Sequence, residues 1–522
     1  MTASASRYDV AVVGGGHNGL VAAAYLARAG KSVLVLERLG KLGGAAVSEA
    51  VFPGVDVALS KYSYLVSLLP DQIVSDLGLT VALVDRTVSS YTPLQRSGRD
   101  VGLLVERPAG ERTRQSFLEL TGADADYEAW QEFYARLETL AQDLAPSLLQ
   151  PLATAEQIES RLRDPQVLAE LRELPLAEFV SRSFTDDHVR GVALTDGLIG
   201  TFADLHATDG LANRCFLYHL IGNGSGQWRV PIGGMGAVSA SMAEAAQRFG
   251  AELIVGATVT LVAVDATGAG VAWTDKSGAT HAVSADAVVS GVAPQVLDEL
   301  RGRTPAPRPI GAQLKINMIL TRLPQLRSGL DPRVAFSGTL HVNQAASQLD
   351  SAYANAVAGR LPDPLPFEVY CHSLADPSIL GTSERTAGYQ TLTLFGLHTP
   401  TALFDNDNEA VRAEATRLAV EGLNGILAES LEDCLARDTA GAPCLQAASP
   451  LDVQAALGMP GGNIFHGDLS WPFAADESQV GTWGVETDEP RLVYAASGGA
   501  VRGGAVSGIG GHNAAHALLG RS

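Results

Sequence analysis

Residues 10–45 constrain the fold of this chain more than any other stretch. Val10-Ala11-Val12-Val13 is a short apolar run of strand type, and Gly14-Gly15-Gly16-His17-Asn18-Gly19 comes next with G-x-G-x-x-G spacing. Small and apolar residues over 20–29 continue in a helical pattern that stops at Gly30, and 32–36 read as a second strand ending in Glu37. The order strand, turn, helix, strand has a mechanical reason. Gly14 allows the tight turn, Gly16 lets a diphosphate approach the backbone, and Gly19 lets helix and strand pack closely. The first turn of the helix, which includes Asn18, offers free N–H groups and partial positive charge to phosphates. Glu37, twenty-three residues beyond Gly14, can accept hydrogen bonds from a ribose hydroxyl pair. The stretch is expected to bind a dinucleotide.

The residues just beyond the ribose acid suggest which dinucleotide. Past Glu37 and Arg38, Gly43-Gly44-Ala45 supplies a second glycine pair. It resembles the G-G-R/A-x-x-S element with which flavoproteins wrap the same diphosphate from the other side. Nicotinamide dehydrogenases do not usually carry that element, so the expected cofactor is FAD.

At 522 residues the chain can form two or three domains with sizeable cores. A formal charge of −20 argues against nucleic acid and against electrostatic docking on anionic lipid. The four cysteines at 215, 371, 434 and 444 form no C-x-x-C pair, so a redox disulfide is not expected. No metal-ligand spacing occurs. No basic region followed by an apolar core opens the chain, and no uncharged apolar run approaches the ~18 residues that span a bilayer. A cytoplasmic location is expected, with peripheral membrane contact and a homodimer left open.

Farther along, 127–144 and 155–174 carry helical periodicity, and 184–220 read as helical with few charges. After Pro231-Ile232-Gly233-Gly234-Met235-Gly236 a helix is expected over 237–249. Strands are expected next at 252–255, 259–264, 270–273, 281–283 and 287–290. Further strands are expected at 313–321, 390–397 and 492–496, and an amphipathic helix at 408–430. The fold class is α/β. A Rossmann-like FAD-binding domain, discontinuous in sequence (1–65, 225–300 and 455–522), joins an α+β substrate domain (66–224 and 301–454) with a mixed sheet and a helical cap near 110–220. The Gly233-Gly234-Met235-Gly236 phrase has a rival reading as a second nucleotide turn. It is rejected because Pro231 interrupts the strand before it and no acid ends the strand after it near Val255.

Three separated phrases carry a family resemblance: the N-terminal cradle, Pro231-Ile232-Gly233-Gly234-Met235, and Tyr494-Ala495-Ala496-Ser497-Gly498 with its glycine-rich continuation to Ala515. Together they resemble the phytoene desaturase branch of the FAD-dependent amine oxidase superfamily, and within it the group of pyridine nucleotide-disulfide oxidoreductase domain-containing protein 2 and its bacterial relatives. Gly461-Gly462-Asn463-Ile464-Phe465-His466-Gly467-Asp468 is similar to a phrase of that group. The resemblance implies that Gly498 belongs to the cofactor site and that the Gly504-Ala505-Val506-Ser507 loop lies at the isoalloxazine, where N–H donors and a helix dipole stabilise reduced flavin. It also implies that Val259 pairs its backbone with adenine.

The activity implied is that of an FAD-dependent oxidoreductase of dehydrogenase, oxidase or desaturase type. It would move a hydride from a small organic, hydrophobic substrate to flavin N5 and pass electrons to oxygen or a quinone-like acceptor. Two alternatives stand beside it: a flavin-dependent isomerase without net oxidation, and a non-catalytic lipid- or prenyl-binding protein of the GDP-dissociation-inhibitor type. Candidate catalytic groups are Lys315, which interrupts an apolar strand, and His219 and His466 among the histidines that can move protons near neutrality. Period-two alternation allows Lys315 to face either solvent or the interior. The substrate side is expected to be an apolar tunnel with few charges.

Overall fold

In the computed structural model, which describes residues 7–520, the first two strands run parallel, with Val10 beside Val33 and Val13 beside Leu36. They are Arg7–Val13 and Val33–Glu37, joined by the helix His17–Arg28. Residues 10–13 and 33–36 of these strands are buried and read as continuous apolar runs, as parallel strands covered by helices do. Strands from much later in the chain complete the sheet. Thr280–Ser290 lies parallel to Arg7–Val13, Glu252–Val255 parallel to Val33–Glu37, and Leu492–Tyr494 parallel to the end of Thr280–Ser290. Thr258–Val264 and Ala269–Thr274 add an antiparallel flank, making seven strands.

Close helix packing on this sheet depends on missing side chains. A Cβ on Gly19 would sit 2.2 Å from the Gly14 carbonyl oxygen, and one on Gly511 would sit 2.1 Å from that of Asn18. The first helix and the last, Ile509–Leu519, can therefore approach each other and the sheet only as glycine-bearing surfaces. Leu20, Val21, Ala22 and Leu26 are fully buried between them. Each large aliphatic side chain so buried contributes about 1.5–3 kcal/mol.

A second seven-stranded sheet is mixed. Its order is Leu445–Ala448, Leu314–Leu320, Gln390–Gly396, Phe367–Tyr370, Thr339–Val342, Val88–Arg96 and Arg99–Glu106. A helical layer over 111–221 covers one side, with Phe117, Trp130, Phe133, Phe184 and Phe216 in one apolar cluster.

Several element boundaries differ from the sequence reading, each for a local reason. The first helix starts at His17, because Gly16 is its N-cap. The periodic run over 155–174 is two helices, Ala155–Glu159 and Pro165–Glu173, since Pro165 can begin a helix but cannot continue one. The expected helix over 184–220 is Asp187–Leu194 and Leu211–Ile221 with a loop between, and Gly200 and Gly210 there have positive φ. The expected strands at 281–283 and 287–290 are one continuous strand, Thr280–Ser290. No described helix is long and apolar enough to cross a membrane.

Candidate functional site

The turn between the first strand and helix opens into a long cavity. Gly14 turns the chain with φ 97°, a conformation available at low cost only to glycine. Gly16 has ordinary extended angles, φ −72° and ψ 171°. A Cβ placed on it would meet nothing within 4 Å. Glycine is therefore not needed at 16 for the backbone; the space beside it is what is preserved. No side chain caps the helix that starts there, so its first N–H groups point toward that space with the positive end of the helix dipole.

The second glycine-bearing helix, Gly234–Arg248, is a useful contrast. Asp376 Oδ2 accepts from Gly233 N at 2.7 Å, Ser60 Oγ from Met235 N at 3.0 Å and Ser48 Oγ from Gly236 N at 2.9 Å. Its N-terminus is closed by the chain's own oxygens, which agrees with rejecting a second nucleotide turn.

Glu37 is buried and already holds the turn. Its Oε2 accepts from Gly15 N at 2.8 Å and its Oε1 from Leu39 N at 2.7 Å. Each oxygen keeps a further lone pair, so the residue can orient the loop and still receive a hydroxyl. Arg38 donates to the Ala456 carbonyl at 3.0 Å and so ties the segment around Val453, Leu457 and Met459 over one end of the cavity. Those three lining residues were not singled out from the sequence. Val259 lines the same end with Ala257 and Thr258. A register shift between Val259 and Leu261 bends the strand there.

Gly14, Gly16, Asn18, Gly19, Glu37, Arg38, Gly44, Ala45, Val259, Ala505 and Val506 all line this one cavity. Gly43, Gly498, Gly504 and Ser507 do not line it, and three of them support it from behind. Gly43 N donates to the Gly15 carbonyl at 2.8 Å. A Cβ on Gly498 would come within 2.4 Å of the His466 carbonyl oxygen. Ser507 Oγ accepts from Ile509 N at 3.2 Å at the start of the last helix. Gly504 has φ 100° and precedes the lining residue Ala505.

Lys315, His219 and His466 line the cavity as well. Lys315 faces inward and is 4% exposed. Its strand is central, paired on both sides with Gln390–Gly396 and Leu445–Ala448. The Lys315 Nζ has no hydrogen-bond partner and lies 4.2 Å from the centroid of the Tyr64 ring. Desolvation drives its pKa well down, favouring the neutral amine. His466 has φ 63° and an unpartnered Nδ1, and burial lowers it to about 4. His219 donates from Nδ1 to the Cys215 carbonyl at 2.9 Å and stacks on Trp228 at 5.1 Å. Burial lowers it, too, to about 4. His17 Nε2 and Asn18 Oδ1 are further unpartnered polar atoms on this wall. A groove with so many buried, unsatisfied polar atoms fits a polar ligand that completes them.

The space beside this cavity is polar, whereas a charge-poor apolar tunnel was expected for the substrate. A second chamber of about 610 Å³ shares Tyr64, Leu65, Ile199, His219 and Trp228 with the first cavity. Arg86, Asp196, His341, Glu368 and Tyr370 line it. These residues come from separate segments without a local motif, so no sequence pattern could have gathered them. All four cysteines are buried and free. Cys215 lies nearest the site, with Sγ 3.1 Å from the Ile199 carbonyl and a pKa raised by burial to about 12, which makes it a poor thiolate.

Comparisons with known proteins agree with this geometry. Residues 12–69 match the family described as NAD(P)-binding Rossmann-like domain. An uncharacterized protein of Mycobacterium tuberculosis is 50% identical, covering 98% of this chain and 97% of its own length. Pyridine nucleotide-disulfide oxidoreductase domain-containing protein 2 of Rattus norvegicus is 30% identical, covering 98% of this chain and 93% of its own length. Among solved structures, cyclohexylamine oxidase from Brevibacterium oxydans superimposes with a TM-score of 0.56 at 17% identity, over 98% of this chain and 99% of the other.

Proposed function

Because the chain belongs to the family of pyridine nucleotide-disulfide oxidoreductase domain-containing protein 2 and has an amine oxidase-like fold, we propose that it is an FAD-dependent oxidoreductase. It oxidises an organic substrate and passes the electrons to oxygen or a quinone-like acceptor. The observation that carries this reading is the uncapped helix N-terminus at Gly16, facing open space where a side chain would otherwise fit. When bound, FAD supplies hydride acceptance at N5.

The chain's own residues do the rest. Main-chain amides of the first helical turn bind the diphosphate. Glu37 takes the ribose, and the Val259 strand receives the adenine. Gly44 would border the diphosphate, while Gly43 holds the turn from behind through its bond to the Gly15 carbonyl. The backbone of 504–507, of which Ala505 and Val506 line the cavity, would supply N–H donors to the ring edge that becomes negative on reduction.

Burial biases Lys315 toward its neutral form, and its unpartnered amine can hold a proton or a water beside the cofactor. Neutral His466 and His219 can accept hydrogen bonds and exclude bulk water. With pKa values of about 4, neither is charged at neutral pH. A silent carrier of the GDP-dissociation-inhibitor type is disfavoured by the same cradle, which such a role does not need.

The test is direct. Protein purified as expressed should be yellow, bleach under anaerobic dithionite, and release FAD on denaturation. Colourless protein that takes up no FAD in calorimetry would refute the proposal.

A further inference from the structure

The polar chamber beside the dinucleotide cavity contains a cation without a counter-ion. Arg86 is held by Nε donating to the Trp228 carbonyl at 2.9 Å and Nη1 donating to Thr339 Oγ1 at 3.1 Å. Its guanidinium carbon lies 6.0 Å from the Tyr370 ring centroid. Among the described residues it forms no ion pair with any carboxylate, although surface arginines of this chain pair widely. Burial pulls its pKa down.

Two of the acids lining the chamber, Glu368 and Asp196, are held away from their charged forms. Glu368 accepts a hydrogen bond from the Tyr370 hydroxyl, and its other oxygen lies 3.6 Å from His341 Nδ1. Burial raises Glu368 to about 8 and Asp196 to about 7. Burial thus holds Glu368 and Asp196 toward their protonated forms beside Arg86, and the chamber is lined as well by Arg107, Asp85, Glu106 and Glu138. A partly buried guanidinium without an ion pair is a ready partner for a ligand of opposite sign. Arginine's planar fork suits the two oxygens of a carboxylate. A dianionic phosphate would meet five acidic side chains in the same chamber, Asp85, Glu106, Glu138, Asp196 and Glu368, which favours a ligand with a single negative charge.

We propose that this chamber is the substrate site and that it takes an organic monocarboxylate, with the anionic group on Arg86 and the body extending between Tyr64 and His219 toward the dinucleotide cavity. That placement rests on the FAD reading for its redox outcome. The anion site itself does not depend on it. A volume of about 610 Å³ is ample for a small organic acid, within the roughly 300–1,000 Å³ usual for ligand pockets.

The experiment titrates the purified protein with benzoate and hexanoate, and with benzamide and hexanamide as neutral isosteres. Melting temperature and flavin absorbance are followed. A carboxylate should raise the melting temperature and perturb the flavin spectrum where its amide does neither. Arg86→Met should weaken carboxylate binding about tenfold or more while flavin content stays at the wild-type level. Should Arg86→Met fail to fold, Arg86→Lys serves the same purpose, with a severalfold loss expected because charge remains but the fork is gone. Inorganic phosphate should not displace benzoate. Unchanged carboxylate affinity in the variant that folds, equal binding of acids and amides, no binding of either acid, or displacement by phosphate would each overturn the proposal. Colourless protein would refute the flavin reading alone, since the melting-temperature arm still reports on Arg86.

Discussion

Gly16→Val separates ligand recognition from folding more cleanly than any other change in this chain. Gly16 has φ −72° and ψ 171°, angles that any L-residue adopts and that β-branched residues favour. An added Cβ meets no atom within 4 Å, so the first side-chain carbon enters open space. Loss of glycine flexibility in the unfolded chain stabilises by about 0.4–1 kcal/mol. The apoprotein should therefore be as stable as wild type or slightly more so.

The ligand, however, loses its place. A diphosphate held by the first helical turn needs the space the valine enters. Wild-type protein in a hundredfold excess of FAD over its dissociation constant gains about 2.7 kcal/mol, and the variant should gain nothing. Gly19→Ala is the control. Its Cβ would be 2.2 Å from the Gly14 carbonyl oxygen, a backbone clash costing about 1–3 kcal/mol or more, so stability should fall with or without ligand. Chemical denaturation of both variants, with and without FAD, together with flavin absorbance per chain, reads all of this. Full flavin content in Gly16→Val, or a stabilisation by FAD equal to wild type, would refute the reasoning.

Single buried groups give further expected outcomes. Lys315→Met removes an amine that has no partner, so the protein without FAD should gain about 1–3 kcal/mol, measured by denaturant midpoint, while reoxidation of reduced enzyme by oxygen slows; unchanged reoxidation would remove the amine from the reaction. Burial raises Glu368 from 4.5 to about 8, so the folded state keeps a proton that the unfolded chain gives up, and stability falls as pH rises through that interval. Glu368→Gln should flatten this part of the stability–pH profile, by an amount on the order of a few kcal/mol above the upper pKa; a profile identical to wild type would count against it. Arg502, 1% exposed, donates to the Pro472 and Gln150 carbonyls; Arg502→Met should destabilise by about 1–3 kcal/mol for each carbonyl left without a donor, read by urea unfolding.

How much was legible in the sequence depends on how far apart the cooperating residues lie. The cradle was legible because its parts are contiguous. One strand, one turn and one helix place Gly14, Gly16, Gly19 and Glu37 through local geometry alone. The glycine loop at 504–507 was reached by likeness to a family, and the structure puts Ala505 and Val506 on the cavity wall with Gly504 and Ser507 beside it. Helix ends were less legible. The break at Asp164-Pro165 is visible in the chain, yet the apolar periodicity on either side conceals it.

For Lys315 and the chamber, the chain order alone was insufficient. Alternation along Leu314–Leu320 cannot say which face is covered when both are. Only the packing of distant segments onto its face of the sheet, Tyr64 among them, buries the lysine. Arg86, Asp196 and Glu368 lie in separate parts of the chain, and each looks like an ordinary charged residue among its own neighbours. Linear order determined the nucleotide turn because hydrogen-bond geometry and steric fit act there over a few residues. Tertiary packing decided the polar chamber, because burial and the missing counter-ion exist only once distant segments have excluded water together.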